Sequence, residues 1–362
     1  MAGIIPIDIV SHTSLIIVYA STLILLTIGL NMIYSVLKFS NFAHAEFITF
    51  GMFTSWWLLQ ILTFALPWDS SMYLINNLII QALFAFVMVG ILGIASEVLV
   101  FGRLKRLAAN PRSFTVASIG IGLVIRNFLA MIFGNFPKPN RGGTSIAALP
   151  FDIDIGIKQT LIRNDPFFGN QGIFITSFEV IIILMSIGTV FTVDYMFRKT
   201  KLGIAMRATS DSVELAQVSG INTRKVVFYT WFLAAGITGF GAALLRANQP
   251  RFSTLDGFMM LLPIFAVVIL GGVGSFRGGI ISAFIIAGVR QLTVIIFTQF
   301  QSPGGLEYMI EDFFYRITGI EGLVITFAPG YADGVGFLVL IFVLLFRPQG
   351  ISGTVEATRE RV

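Results

Sequence analysis

Seven residues of this chain, Asn41-Phe42-Ala43-His44-Ala45-Glu46-Phe47, hold an amide, an imidazole and a carboxylate close together. Apolar runs flank them, Ser14–Leu37 before and Phe47–Leu66 after. A carboxylate at membrane depth is costly, so it marks a pathway or a buried contact. The stretch is therefore expected to shape a passage or a gating contact rather than to act chemically on a substrate. Two cations, Arg126 and Arg290, fall near the middles of apolar segments and cannot easily reach water. Each needs an acidic or carbonyl partner, and Glu46 and Glu179 are the candidates. Glu97 lies near a segment end, where snorkelling or pairing with Arg103 accounts for it.

Other chemistry is missing from the pattern. The chain has no Cys and only two His, far apart, so no metal site is expected. It contains no GxxxxGK[ST], no HExxH and no GxSxG. Gly271-Gly272-Val273-Gly274-Ser275-Phe276-Arg277-Gly278-Gly279 is Gly-rich but lacks the Lys-Ser/Thr ending, and reads as a tight turn or helix break. No catalytic residue and no cofactor is expected. Energy for uphill movement of a solute would have to come from a partner or an ion gradient.

The elements that must position these residues follow from composition. Hydrophobic residues form 56% of the chain, charged residues 12%, and mean hydropathy is +0.86. A soluble domain carries about 25% charged residues. The reading is an all-α polytopic integral membrane protein, a single transmembrane domain over 1–362. Met1–Ser11 has no basic stretch and does not read as a cleaved signal peptide. A crossing helix needs about 20 apolar residues. Nine segments approach this: 13–37, 46–66, 72–100, 113–134, 172–197, 226–246, 257–273, 278–299 and the shorter 333–347. A broken or re-entrant segment is expected near 38–50. Trp56, Trp57 and Trp68 read as an interfacial belt at the outer end of the second span.

Lys and Arg orient the set. Arg103, Lys105, Arg106 and Arg112 form one basic connection, and Arg198, Lys199, Lys201, Arg207, Arg224 and Lys225 a second. Arginines 347, 359 and 361 follow the last span. The positive-inside rule places all three in the cytoplasm, with the N-terminus outside and the C-terminus inside. Residues 135–171 then form the long external loop. Ala235, Gly239 and Ala243, and likewise Gly279, Ala283 and Ala287, recur every four residues and predict close helix packing.

Residues 198–225 are too polar to cross and form the cytoplasmic coupling loop. Asp211 followed by Glu214 predicts an N-cap with a reciprocating carboxylate. Val213, Leu215, Ala216 and Val218 would give a short helix an apolar face, and Gly220 would end it at C′. An exposed apolar stripe on such a helix suits docking to a cytoplasmic partner.

The chain resembles the membrane permeases of high-affinity branched-chain amino acid importers of the ATP-binding-cassette class. It is most similar to the one of the two paired permeases whose signature reads Asn-Phe-Ala-His-Gly-Glu-Phe. Here that stretch is Asn41–Phe47, preceded by Gly29-Leu30-Asn31-Met32-Ile33-Tyr34. Further matches are Arg207-Ala208, Ala216 and Ser219-Gly220-Ile221-Asn222-Thr223; then Val268-Ile269-Leu270-Gly271-Gly272-Val273-Gly274-Ser275; then Leu345-Phe346-Arg347-Pro348-Gln349-Gly350. Ala45 departs from the family's usual Gly and adds a methyl where backbones would pass closely. The resemblance implies a translocation path for branched-chain or other apolar amino acids, built by a permease without a nucleotide-binding motif of its own. Path or gating candidates are Asn31, Asn41, His44, Glu46, Arg126 and Arg290. ATPase-coupling candidates are Arg207, Asp211, Val213, Glu214, Leu215, Val218 and Gly220. Implied partners are a second permease subunit, cytoplasmic ATP-binding subunits, an external solute-binding protein and the lipid bilayer of the cell membrane, with no nucleic acid. Urea and short-amide permeases share much of this pattern and supply the alternative substrate class. An autonomous secondary transporter or channel, and a non-transporting scaffold, are the alternatives of other kinds.

Overall fold

A computed structural model describes residues 9–65, 73–107, 109–139, 177–249 and 251–300, with isolated positions between 316 and 351. The fold is helical. In order, the α-helices are α1 (Ile9–Leu37), α2 (His44–Ala65), α3 (Tyr73–Ser96), α4 (Gly102–Arg106) and α5 (Pro111–Phe133). Then follow α6 (Ser177–Lys199), α7 (Lys201–Asp211), α8 (Val213–Val218), α9 (Thr223–Ala247), α10 (Asp256–Gly271) and α11 (Phe276–Phe300). A two-stranded ribbon, β1 (Lys138–Pro139) antiparallel to β2 (Arg251–Phe252), joins the loops after α5 and α9.

Six helices among the described residues are long and apolar enough to cross a membrane: His12–Leu37, Leu78–Arg106, Arg112–Phe133, Glu179–Lys199, Thr223–Ala247 and Phe276–Phe297. The expected second and seventh spans are also helices, α2 and α10. The polar start of α2 lowers its hydropathy, and α10 has only 16 residues. The ninth expected span, 333–347, lies almost wholly outside the described residues, as do most of 135–171 and Trp68.

Helix α9 sits at the centre, contacted by α1, α2 and α3. Its small residues explain this. A Cβ at Gly29 of α1 would fall 2.1 Å from Thr238 Oγ1 and 2.4 Å from the Ala234 carbonyl, so only glycine fits that crossing. Ala235, Gly239 and Ala243 receive α3, where Ala82, Ala85 and Gly93 approach them. This is packing through small residues, as their spacing predicts.

One irregularity was not expected. The long rod from α3 to α4 contains one π turn, Glu97–Phe101, where the Gly102 amide donates to the Glu97 carbonyl. The extra residue turns Phe101 inward to stack on Trp231, the ring centroids 5.1 Å apart. Phe39 and Phe114 complete that aromatic cluster. Glu97 pairs with Lys105 at 2.7 Å, not with Arg103, because the helix carries Lys105 back over it. Trp56 packs edge-on against Phe133 and Phe252, while Trp57 is the exposed neighbour.

Candidate functional site

Helix α1 ends at Leu37, and Lys38 takes a left-handed backbone with φ of +57°. That conformation stops the helix and redirects the chain. Residues 39–43 carry no helix, and α2 begins at His44. Phe39, Asn41 and Ala43 are buried, so this break lies inside the protein. Asn41 organises it: its Oδ1 accepts from the Ala43 amide at 3.1 Å and its carbonyl accepts from the His44 amide at 3.3 Å. Ser118 of α5 accepts from the Phe42 amide at 3.0 Å.

The chain then runs back along α1. His44 Nε2 donates to the Leu26 carbonyl at 2.9 Å, with Thr238 Oγ1 of α9 3.4 Å away. Leu26 precedes Leu37 by eleven residues, which is about 16 Å along a helix. The first turn of α2 is thus packed beside the middle of α1 and against α9. Gly257, at the start of α10, closes the other side. A Cβ there would come within 2.2 Å of the Ala45 carbonyl and of Thr49 Oγ1. The close approach at Ala45 is therefore provided by Gly257, and the Ala45 methyl is accommodated in the buried interior.

Glu46 is buried beneath α5. Its Oε1 accepts from Arg126 Nε at 2.9 Å and also from Arg126 Nη2. The Arg126 guanidinium lies 4.5 Å above the Phe258 ring of α10. Its side chain keeps 22% of its surface exposed, against 1% for Glu46. Of the two acids open to Arg126 in the sequence, the fold selects Glu46. Asn41 Nδ2, His44 Nδ1 and Glu46 Oε2 are buried and have no hydrogen-bond partner among the described residues. Such groups cost roughly 1–3 kcal/mol each when unsatisfied, so several together are unusual.

The structure thus joins Asn41, His44, Glu46 and Arg126, but not the other two candidates. Asn31 instead holds the glycine turn between α10 and α11. Its Oδ1 accepts from the Gly274 amide at 2.7 Å and its Nδ2 donates to the Ser275 carbonyl at 2.9 Å. Ile351 binds the same region, its amide donating to Leu270 at 2.8 Å. Arg290 on α11 lies 4.4 Å over the Tyr19 ring, about two turns from Leu26 towards the start of α1. The sequence also hid a buried cation, Arg246 on α9. It donates to Ser55 Oγ at 3.0 Å and to Gln81 Oε1 at 2.7 Å, tying α9 to α2 and α3.

Residues 198–225 contain two helices rather than one. Thr200 caps α7 by accepting from the Gly203 amide at 3.1 Å. Asp211 belongs to α7 as its last residue, so it cannot cap α8. Ser212 does so from an extended backbone, accepting from the Leu215 amide at 3.2 Å, and Glu214 falls in the first turn. Gly220, with φ of +81°, ends α8 at C′. Its amide donates to Gln217 and that of Ile221 to Ala216, both at 3.0 Å, the paired bonds of a Schellman stop. Ala216 is turned inward, unlike its three expected companions. Val213, Leu215 and Val218 are exposed, the last two at 68% and 87%. Arg207 and Asp211 are exposed on α7. Ser210 anchors α7 to the end of α1, donating to the Ser35 carbonyl at 2.7 Å.

A family model described as "Branched-chain amino acid transport system / permease component" matches residues 13–344. A probable branched-chain amino acid transport permease protein of Methanocaldococcus jannaschii, LivH, is 25% identical over 338 residues, 93% of this chain and 90% of the relative. The high-affinity branched-chain amino acid transport system permease protein BraD of Pseudomonas aeruginosa is 23% identical over 346 residues, 94% of each chain. The corresponding LivH of Escherichia coli is 24% identical over 346 residues, again 94% of each. No solved structure matches the chain.

Proposed function

The chain belongs to the family of branched-chain amino acid transport permease components, a multi-pass protein of the cell membrane, and from that premise we propose how it carries solute. It lines the path by which branched-chain or other apolar amino acids enter the cell. A second permease subunit completes that path, an external binding protein delivers the solute, and cytoplasmic ATP-binding subunits drive the cycle. The chain itself contributes no nucleotide-binding motif.

The observation that carries this reading is the return of Asn41–Phe47 to the middle of the helix bundle. Backbone without helical bonds is tolerated at membrane depth only where protein buries it or water lines it. Here Asn41 and Ser118 satisfy part of it, and Glu46 is neutralised by Arg126. In this reading 38–50 is a re-entrant segment, and α2 and α10 both start at mid-depth beside it. Arg126 is the partly exposed member of the pair, so it faces the path. The unsatisfied Asn41 and His44 atoms gain partners as the path opens and closes. Asn31 supports the pathway from a distance by fixing the α10–α11 turn, and Arg290 steadies α11 on α1.

Nine spans, with the N-terminus outside and the C-terminus in the cytoplasm, fit the basic connections. Support comes from Lys105, Arg106, Arg224 and Lys225, which line one cavity and so share one face. On that face 198–225 is the coupling loop, with Leu215 and Val218 as the docking pair on α8. Arg207, Asp211, Val213 and Glu214 form its border, and Gly220 sets its exit. Residues 135–171 are the external loop of the single permease domain.

The test is uptake normalised to membrane-inserted protein. Glu46→Gln and His44→Ala are expected to lower uptake at least tenfold, about 1.4 kcal/mol, while insertion falls far less. Normal uptake by both variants would reduce the segment to a structural corner.

A further inference from the structure

We propose that the cavity between the ends of α1, α3–α4 and α9 binds the phosphate-bearing head group of an anionic membrane phospholipid. The cavity measures about 930 Å³. That lies near the top of the range of ordinary ligand pockets, about 300–1,000 Å³. Its lining includes Lys105, Arg106, Arg224 and Lys225. Glu97 neutralises Lys105. No carboxylate is paired with Arg106, Arg224 or Lys225 among the described residues. The site therefore keeps an excess of three positive charges, suited to a phosphodiester. Thr223 adds a hydroxyl whose oxygen already accepts from Gln217 Nε2 at 3.0 Å, leaving its proton available to a phosphate oxygen.

The lining also has apolar members. Val98 and Phe228 line the cavity, are exposed, and belong to the membrane-crossing rods. A soluble anion has no use for these apolar side chains, whereas the first carbons of an acyl chain do. Basic pockets between spans on the cytoplasmic face are a recurrent form of lipid recognition. The assignment to the cytoplasmic leaflet rests on the orientation proposed above; the charge and shape of the cavity do not. The site is also separate from the docking pair on α8. Val213 and Gln217 line the cavity, and Leu215 and Val218 do not. At 100° per residue these pairs lie on opposite sides of the helix, so lipid and a cytoplasmic partner can be held together.

The experiment measures lipid retained by the complete transporter in nanodiscs containing phosphatidylcholine and phosphatidylglycerol, by native mass spectrometry. Wild type should retain phosphatidylglycerol in preference to phosphatidylcholine. Arg106→Gln with Arg224→Gln should lower that retention at least tenfold, and Arg106→Lys with Arg224→Lys should restore it. Excess inorganic phosphate should leave it unchanged. Equal retention in the Gln variant would overturn the proposal. So would displacement by free phosphate, which would mark a soluble-anion site, or lipid held by the permease subunits alone but lost from the complete transporter, which would give the cavity to the ATP-binding subunits. Should the Gln variant not fold, wild type and the Lys variant must still discriminate between the two lipids, and failure to do so overturns the assignment. Uptake does not enter this readout, so it fails independently of the transport reading.

Discussion

Glu46 and Arg126 illustrate what an ion pair does inside a membrane protein. Glu46 is almost fully enclosed, and Arg126 meets it with two donors while its face rests on Phe258. Removing one partner of a buried pair leaves a charge without compensation and costs about 3–5 kcal/mol. Glu46→Gln and Arg126→Gln are each expected to lower thermal stability in detergent. The double variant, with no charge left to bury, should lose clearly less than the two single losses added together. Additive losses would show that the groups do not act as a pair. The sequence offered Arg126 two acids, 80 and 53 positions away, Glu46 and Glu179, and local spacing could not choose between them. Arg246 was hidden for another reason. It stands at the end of an apolar run, where a cation reads as a boundary, yet Ser55 and Gln81 meet it in the interior.

At the scale of elements, helix α8 carries the clearest expectation. Its stop was legible, because a Gly after a short apolar-polar run suits the left-handed C′ position. Its start lies one residue later than the Asp211 cap predicts. Asp211 has the right chemistry for a cap, but α7 holds it in helical backbone and leaves the extended conformation to Ser212. The π turn at Glu97–Phe101 has no sequence signal of its own; burial of Phe101 against Trp231 decides it. The break after α1 was legible as polar residues between apolar runs, whereas the return of His44 to Leu26 depends on α5, α9 and α10 closing around it. Leu215→Asp tests the role of α8. The side chain is exposed, so insertion and fold should persist, and co-purifying ATP-binding subunits should fall at least tenfold. Full burial of a Leu side chain supplies roughly 1.5–3 kcal/mol. Wild-type recovery of those subunits together with wild-type uptake would return α8 to a plain connecting helix.

For the whole molecule, the two basic connections meet around one cavity while β1 and β2 join the loops at the opposite ends of α5 and α9. The absence of native cysteine makes the sidedness directly measurable. Leu107→Cys and Val218→Cys, both at exposed positions, should react with an impermeant thiol reagent only after cells are opened. Phe136→Cys, after α5, should react in intact cells. The reverse pattern would invert the orientation. The central claim, that this chain forms a path for apolar amino acids powered by ATP-binding partners, is tested most directly in proteoliposomes. The permease is assembled with its partner subunits and leucine-loaded binding protein, and labelled leucine inside the vesicles is counted with and without ATP. The account predicts accumulation that requires ATP and is abolished by Glu46→Gln. Leucine entry that proceeds equally without ATP, or ATP hydrolysis with no leucine accumulation, would contradict it.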